Sequence, residues 1–176
     1  HDALPIFAAL LRNPVFKRAK LKRLKLTCGG GAQVQKVVAE EWLAQTQCPI
    51  LEAYGLTECS PAVCGNIPGA PWDGSVGVPI PSTEVSIRGD GFRDLGFCPE
   101  GEDPTPYTGE ICVKGPQVMR GYWKKPEETA GVIRDGWLRT GDVGHMDHRG
   151  VVYITDRKKD MIIVSGFNVY PNEEIG

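Results

Sequence analysis

The chain has 176 residues, 41% of them apolar and 24% charged, which are the proportions of an ordinary soluble globular protein about one domain long. Its 20 basic and 22 acidic residues nearly balance, so no net field gathers nucleic acid or coats an anionic membrane surface. No apolar run approaches the ~20 residues of a membrane span, no secretory apolar region is visible, and six cysteines without a Cys-x-x-Cys pair read as buried free thiols of a reducing cytoplasm rather than a zinc site.

Residues 4–11 are apolar-rich and read as a short helix that stops near Asn13-Pro14. Leu21, Leu24 and Leu26 lead into Thr27-Cys28-Gly29-Gly30-Gly31, a strand running into a glycine turn. Val34, Val37, Val38 and Trp42 recur at helical spacing and predict a helix over 34–45. A short buried strand over 49–52 comes next. Strand, glycine turn, helix and strand make an α/β unit, which binds ligands at the carboxyl ends of its strands. After Pro68 the character changes. Short alternating segments at 84–87, 110–113 and 151–154, separated by turn residues, predict a β-rich subdomain or distorted barrel. The stretch 89–109, rich in Gly, Pro and acidic residues, reads as an exposed loop. A charged run, Asp156-Arg157-Lys158-Lys159-Asp160, precedes segments 161–164 and 167–170, which flank Ser165-Gly166 like a hairpin. That hairpin is too small to be a domain by itself.

Three stretches carry the chemistry. Tyr54-Gly55-Leu56-Thr57-Glu58 offers a ring, a hydroxyl and a carboxylate directly after a buried strand. Those groups suit a nucleotide base, a phosphate and Mg²⁺; read alone, they fit better a turn with Thr57 as a helix cap. In Gly136-Trp137-Leu138-Arg139-Thr140-Gly141-Asp142, two glycines frame a hydroxyl and a carboxylate. This is ordinary turn chemistry, or a carboxylate placed to accept two ribose hydroxyls. The charged run is a solvated loop, or a site where the planar fork of Arg157 meets phosphate and ribose.

In this order and spacing the three stretches resemble the core motifs of the adenylate-forming superfamily, which contains acyl-CoA synthetases, luciferases and peptide-synthetase adenylation domains. Gly29-Gly30-Gly31, Met119-Arg120-Gly121-Tyr122-Trp123 and Pro126-Glu127-Glu128-Thr129 fit the same pattern. The resemblance runs from about Phe7 to about Glu173. The stretch from Asp135-Gly136-Trp137 to Lys159-Asp160-Met161-Ile162 resembles the signature of fatty acyl-CoA synthetases. The stretch Val164-Ser165-Gly166-Phe167-Asn168-Val169-Tyr170-Pro171-Asn172-Glu173 is similar to bacterial long-chain fatty acid–CoA ligases.

The resemblance implies a fold and an activity. Residues 1–158 would be the C-terminal portion of the large AMP-binding domain, an α/β unit plus a β-rich distorted-barrel subdomain. Residues 159–176 would be the hinge and first hairpin of the small C-terminal domain. A long-chain fatty acid, ATP and coenzyme A would be the substrates, with Mg²⁺ as cofactor, in a cytoplasmic enzyme or one peripheral to the inner membrane. Tyr54 is expected to stack on adenine, Thr57 to contact the AMP phosphate, and Glu58 to help hold Mg²⁺. Asp142 is expected to accept both ribose hydroxyls and Arg157 to contact ribose and phosphate. Lys159 would be the interdomain hinge, and Gly166 would approach the pantetheine arm of CoA. Gly29, Gly30 and Gly31 would line the nucleotide and acyl-carboxylate pocket, where a Cβ would crowd the ligand.

A carboxylate is a poor electrophile, and transfer of AMP onto it creates a mixed anhydride that CoA thiolate can attack. Mg²⁺ and cations must offset the crowding of phosphates against the carboxylate. The two steps need different surroundings, which gives a hinge its physical reason.

The same resemblance places the family's phosphate loop before His1 and its catalytic lysine after Gly176. Ala53 stands where many relatives have glycine. Residues 1–6 and 174–176 resemble a translated sequencing adapter and are expected to be non-native, which the coding DNA at both ends decides. Two rival readings stay open: another adenylate-forming ligase acting on short, aryl or amino acids, and a nonenzymatic fragment that at most binds adenosine nucleotides weakly.

Overall fold

The structure, a computed structural model, describes residues 6–157, 162–164 and 167–169. Helix α1 (Ile6–Arg12) ends near the expected stop, but Pro14 opens a second helix, α2 (Pro14–Arg18). Asn13 Oδ1 accepts the N–H groups of Val15 at 2.8 Å and Phe16 at 3.3 Å. Proline at the first helical position loses no intrahelical bond, so Asn13-Pro14 is a start as well as a stop.

Strand β1 (Thr27–Gly30) includes two of the glycines and leaves Gly31, at φ +84°, for the turn. Helix α3 (Lys36–Thr46) begins after Val34, which is buried ahead of it. The helix buries Ala39, Trp42 and Thr46 on one face. Trp42 meets Phe7 edge-on at 4.9 Å and stacks with Phe16 at 5.2 Å. These rings, with Leu11, Val34 and Ile50, form one apolar cluster that fastens the helices to the strands. Strand β2 (Ile50–Gly55) runs parallel to β1 and reaches farther than residues 49–52, so Tyr54 is a strand residue. Strands β3 (Ala62–Gly65) and β4 (Val78–Pro79) add antiparallel neighbours in the order β1-β2-β3-β4.

The β-rich part is a second, curled sheet. It contains β5 (Glu84–Arg88), β6 (Gly109–Lys114), β7 (Ile133–Arg134), β8 (Trp137–Met146) and β9 (Val152–Arg157), with helix α4 (Pro126–Val132) leading into β7. The order is β5-β6-β8-β7, and β9 pairs with β8 farther along that strand. Asp135 and Gly136, both at positive φ, close the β7–β8 hairpin. The stretch 89–109 is more than an exposed loop. Cys98 is buried, its N–H donates to Met146 at 2.7 Å, and Leu95 N–H donates to Ile87 at 2.8 Å.

A larger apolar cluster, including Tyr54, Val63, Ile87, Ile111, Leu138 and Val152, lies between the two sheets. Backbone bonds from Val76 to Val152 and from Val152 to Gly77 tie their edges. The fold is thus an α/β unit joined to a β-rich curled sheet. Strands β10 (Ile162–Val164) and β11 (Phe167–Val169) pair antiparallel, as the sequence suggests. Lys159, Gly166, the expected domain boundary at 158–159, and the expected non-native ends apart from Ile6 lie outside the described residues.

Candidate functional site

A cleft of about 190 Å³ opens where the parallel strands β1 and β2 end, the position that strand polarity predicts for a ligand. The turn after β1 contributes Gly31, Ala32 and Gln33 to its wall. Strand β2 contributes Glu52, Ala53, Tyr54 and Gly55, and the second sheet contributes Asp142 and Ile154.

Tyr54 and Asp142, 88 positions apart, meet here: the phenol donates to Asp142 Oδ2 at 2.7 Å. Both side chains are buried, at 8% and 4% exposure. Burial first, and then the Asp142 carboxylate, push the Tyr54 hydroxyl far above its ordinary range, against an opposing contribution from Thr140. The phenol therefore stays a proton donor to the carboxylate.

Asp142 is aimed by a bulge rather than a turn. The register of β6 on β8 shifts between Glu110 and Cys112, and Gly141 takes φ +78° there. Glu110 Oε1 accepts the Gly141 N–H at 3.2 Å, and its Oε2 accepts Arg139 Nε and Nη2, both at 2.9 Å. Thr140 Oγ1 donates to the Ile111 carbonyl at 2.8 Å and accepts the Asp142 N–H at 3.1 Å. Arg139-Thr140-Gly141-Asp142 is thus a folded unit locked from β6. On the other side, β9 pairs Arg157 directly opposite Asp142.

Thr57 and Glu58 occupy a one-turn helix, Thr57–Cys59, just past β2, anchored by the fully buried Cys59. They lie beyond the residues that line the cleft. Thr57 is exposed and Glu58 half-buried. Glu58 Oε1 accepts the Tyr122 hydroxyl at 2.7 Å, and its backbone carbonyl accepts the Met119 N–H at 2.7 Å. The hydrogen bond to Glu58, then burial, pushes Tyr122 upward. Tyr122 is fixed in turn by its N–H, which donates to Thr129 Oγ1 at 2.9 Å. Gly121, at φ +148°, sits where a Cβ would run into Thr129. The two short motifs at 119–123 and 126–129 therefore fold on each other and hold the Glu58 carboxylate in place.

The three glycines differ in their surroundings. Gly31 lines the cleft. A Cβ on Gly29 would press on Phe7 at 2.9 Å, and one on Gly30 would press on the Ala53 carbonyl at 3.0 Å. Packing alone already leaves little room for a side chain at those two positions. Ala53 is exposed, which explains why its methyl is tolerated.

Sequence reasoning passed over Glu52, a buried carboxylate in the cleft wall bonded to Val34 and Trp72. Its signal was a charge beside the apolar run Pro49-Ile50-Leu51. Glu110 has no local signal, and Tyr122 stands in the motif at 119–123, whose spacing does not reveal its bond to Glu58.

The oxygens of Glu58 and Thr57 suit a hard cation. No group of three His, Cys, Asp or Glu among the described residues could hold a metal. No described helix is long and apolar enough to cross a membrane.

Comparison with known proteins agrees with this geometry. A family model described as AMP-binding enzyme matches residues 3–123. A long-chain-fatty-acid–CoA ligase of Yersinia pestis is 51% identical over 173 residues, covering 96% of this chain and 29% of its own length. The chain therefore spans about three tenths of such curated relatives. ATP-bound MatB from Rhodopseudomonas palustris superimposes with a TM-score of 0.80 at 36% identity, covering 95% of this chain and 32% of that one. An O-succinylbenzoate coenzyme A synthetase from Bacillus subtilis, in complex with ATP and magnesium ion, does so at 0.78 and 31%, covering 96% and 33%.

Proposed function

Because the chain belongs to the AMP-binding enzyme family, we propose that the protein containing it joins a long-chain fatty acid to coenzyme A at the expense of ATP. The meeting of Tyr54 and Asp142 in the cleft carries the nucleotide part of this reading. The 51% identity to a long-chain-fatty-acid–CoA ligase supports the substrate.

In this reading Tyr54 lies against adenine, and its hydroxyl holds one Asp142 oxygen so that the carboxylate presents a fixed geometry to the ribose hydroxyls. Arg157, opposite Asp142 in the strand register, reaches ribose and phosphate. Thr57 contacts the α-phosphate. Glu58, steadied by Tyr122, helps hold Mg²⁺. When bound, that ion would neutralise phosphate charge during attack by the fatty acid carboxylate. The carboxylate oxygen bonds to the α-phosphorus as the bond to pyrophosphate breaks. CoA thiolate then attacks the acyl carbon and AMP leaves. Gly31 leaves the wall of the turn bare, Gly166 approaches pantetheine, and Lys159 serves as hinge between residues 1–158 and the small domain.

The experiment is Asp142→Ala in the full-length enzyme, with AMP binding measured by calorimetry. A charged hydrogen bond is worth about 1.5–3 kcal/mol, so affinity is expected to fall at least about tenfold. Unchanged affinity refutes the ribose assignment. Pyrophosphate release that saturates with a long-chain fatty acid, and not with aryl or short acids, tests the substrate.

A further inference from the structure

One carboxylate in the cleft wall has no part in the chemistry proposed for the nucleotide. Glu52 is 3% exposed, and both of its oxygens are engaged. Oε2 accepts the Val34 N–H at 3.1 Å, and Oε1 accepts the Trp72 indole N–H at 2.7 Å. Its backbone is held as firmly. The Glu52 N–H donates to Asn66 Oδ1 at 2.6 Å, and the Asn66 N–H donates back to the Glu52 carbonyl at 2.9 Å. Asn66 Nδ2 then donates to the Ser75 carbonyl at 3.1 Å and to Ser75 Oγ at 3.2 Å. One position of β2 thereby fastens two segments that are far apart in sequence, the turn after β1 and the stretch 72–76. Each supplies part of the cleft wall: Gly31 and Gln33 from the first, Gly74 and Val76 from the second.

Burying a carboxylate is costly unless its hydrogen bonds are satisfied. Burial and the nearby Asp73 raise the Glu52 carboxyl above its usual range, while the bonds from Val34 and Trp72 oppose this. Packing alone could be met at lower cost by an apolar side chain. The carboxylate instead joins donors from two segments, 31–34 and 72–76, that both contribute to the cleft wall.

We propose that Glu52 is a positioning residue for the nucleotide, clamping the turn 31–34 and the segment 72–76 at one cleft width so that adenosine enters between preformed walls. The inference rests on the nucleotide reading of the cleft. Glu52 touches no reacting atom. Loosening the clamp therefore weakens nucleotide capture and leaves turnover at saturation nearly intact.

The test compares Glu52→Gln and Trp72→Phe in the full-length enzyme by steady-state kinetics, with thermal unfolding alongside. Glutamine keeps the size but turns an N–H donor toward a second donor. KM for ATP is expected to rise about tenfold in Glu52→Gln and by less in Trp72→Phe. In both, kcat and the KM values for fatty acid and CoA are expected to stay within about twofold of wild type. The double variant is expected to match Glu52→Gln, because both substitutions open the same clamp. An unchanged KM for ATP beside a lowered Tm, or a common rise of all three KM values, overturns the proposal. If Glu52→Gln does not fold, Trp72→Phe decides by the same criteria. Asp142→Ala in the same assay separates the two readings. Wild-type KM for ATP in that variant sinks the nucleotide site itself. A raised value there, with wild-type values in both clamp variants, sinks the Glu52 role alone.

Discussion

Burial pushes the Cys59 thiol up to about 11, with the Glu58 carboxylate adding to it, and the Cys64 thiol up to about 12. Neither carries appreciable thiolate at neutral pH, so both are inert packing groups. Cys28 is exposed, unlike the other five, and departs from the expectation that all six thiols are buried. Brief treatment of the native chain with iodoacetamide at about pH 7.5 is expected to label Cys28, leaving Cys59 and Cys64 unlabelled until denaturant is added. Peptide mass spectrometry reads the result, and labelling of Cys64 at the rate of Cys28 would contradict this packing. At the same scale, Tyr54, Glu58 and Asp142 could be singled out from sequence because their residue types stand in short motifs. Glu52 could not. What it does depends on Val34, Trp72 and Asn66, and no local spacing connects those residues. Gly29 and Gly30 were legible as positions without room for a side chain, but their crowding neighbours, Phe7 and Ala53, come from separate elements.

Elements were legible where one face is wet. Helix α3 shows this in part: it buries Ala39, Trp42 and Thr46 on one face, while Val37 is exposed. Strand β8 does not: its ten residues are all buried or half-buried, so no alternation marks it, and its glycines invite a turn reading. Helix α4 has seven residues and buries none, which leaves no apolar stripe to detect. The β8–β9 connection shows how a single side chain closes an element. Asp147 Oδ1 accepts the N–H groups of Arg149 at 2.9 Å and Val151 at 3.0 Å, while Oδ2 accepts Arg149 Nη2 at 2.8 Å. Burial raises the Asp147 carboxyl, but these bonds outweigh it and hold the group below the usual carboxylate range. Folding therefore favours the ionised form. The resulting stability is fully present above the unfolded value of about 3.9 and is lost as pH falls through the lowered native value. Asp147→Asn is expected to cost about 1 kcal/mol at pH 7 through weakened backbone bonds, the ion pair with exposed Arg149 adding little. Denaturant titrations should show that difference shrink progressively as pH falls below about 3.9. A difference that persists unchanged into acid would mean that the charge plays no part.

At the scale of the whole molecule, the cleft exists because two sheets close on each other. The first supplies Tyr54 and the second supplies Asp142, and the apolar cluster between them fixes their approach. Nothing local in the sequence specifies a contact across 88 positions; the family resemblance assigned both residues to one nucleotide, and their direct hydrogen bond emerges only from the structure. In the proposed reading, a domain hinged at Lys159 would act on the nucleotide from the end of β9. Arg157 pairs with Asp142 at the end of that strand, and Lys159 comes two positions later in the chain. If the small domain turns between the two half-reactions, backbone angles just past the nucleotide site must change. A proline there fixes φ near −65° and removes a backbone donor. Lys159→Pro in the full-length enzyme is therefore expected to slow conversion of acyl-AMP to acyl-CoA by about tenfold or more, and acyl-AMP formation by less than about twofold. The large domain is expected to keep its thermal stability, since its two apolar clusters lie elsewhere. Single-turnover measurements of each step separate the outcomes. A lysine that is merely solvated would, when replaced by proline, leave both rates alone or slow them alike. Equal slowing of the two steps would remove the hinge from this position while leaving the nucleotide site, which rests on Tyr54 and Asp142, untouched.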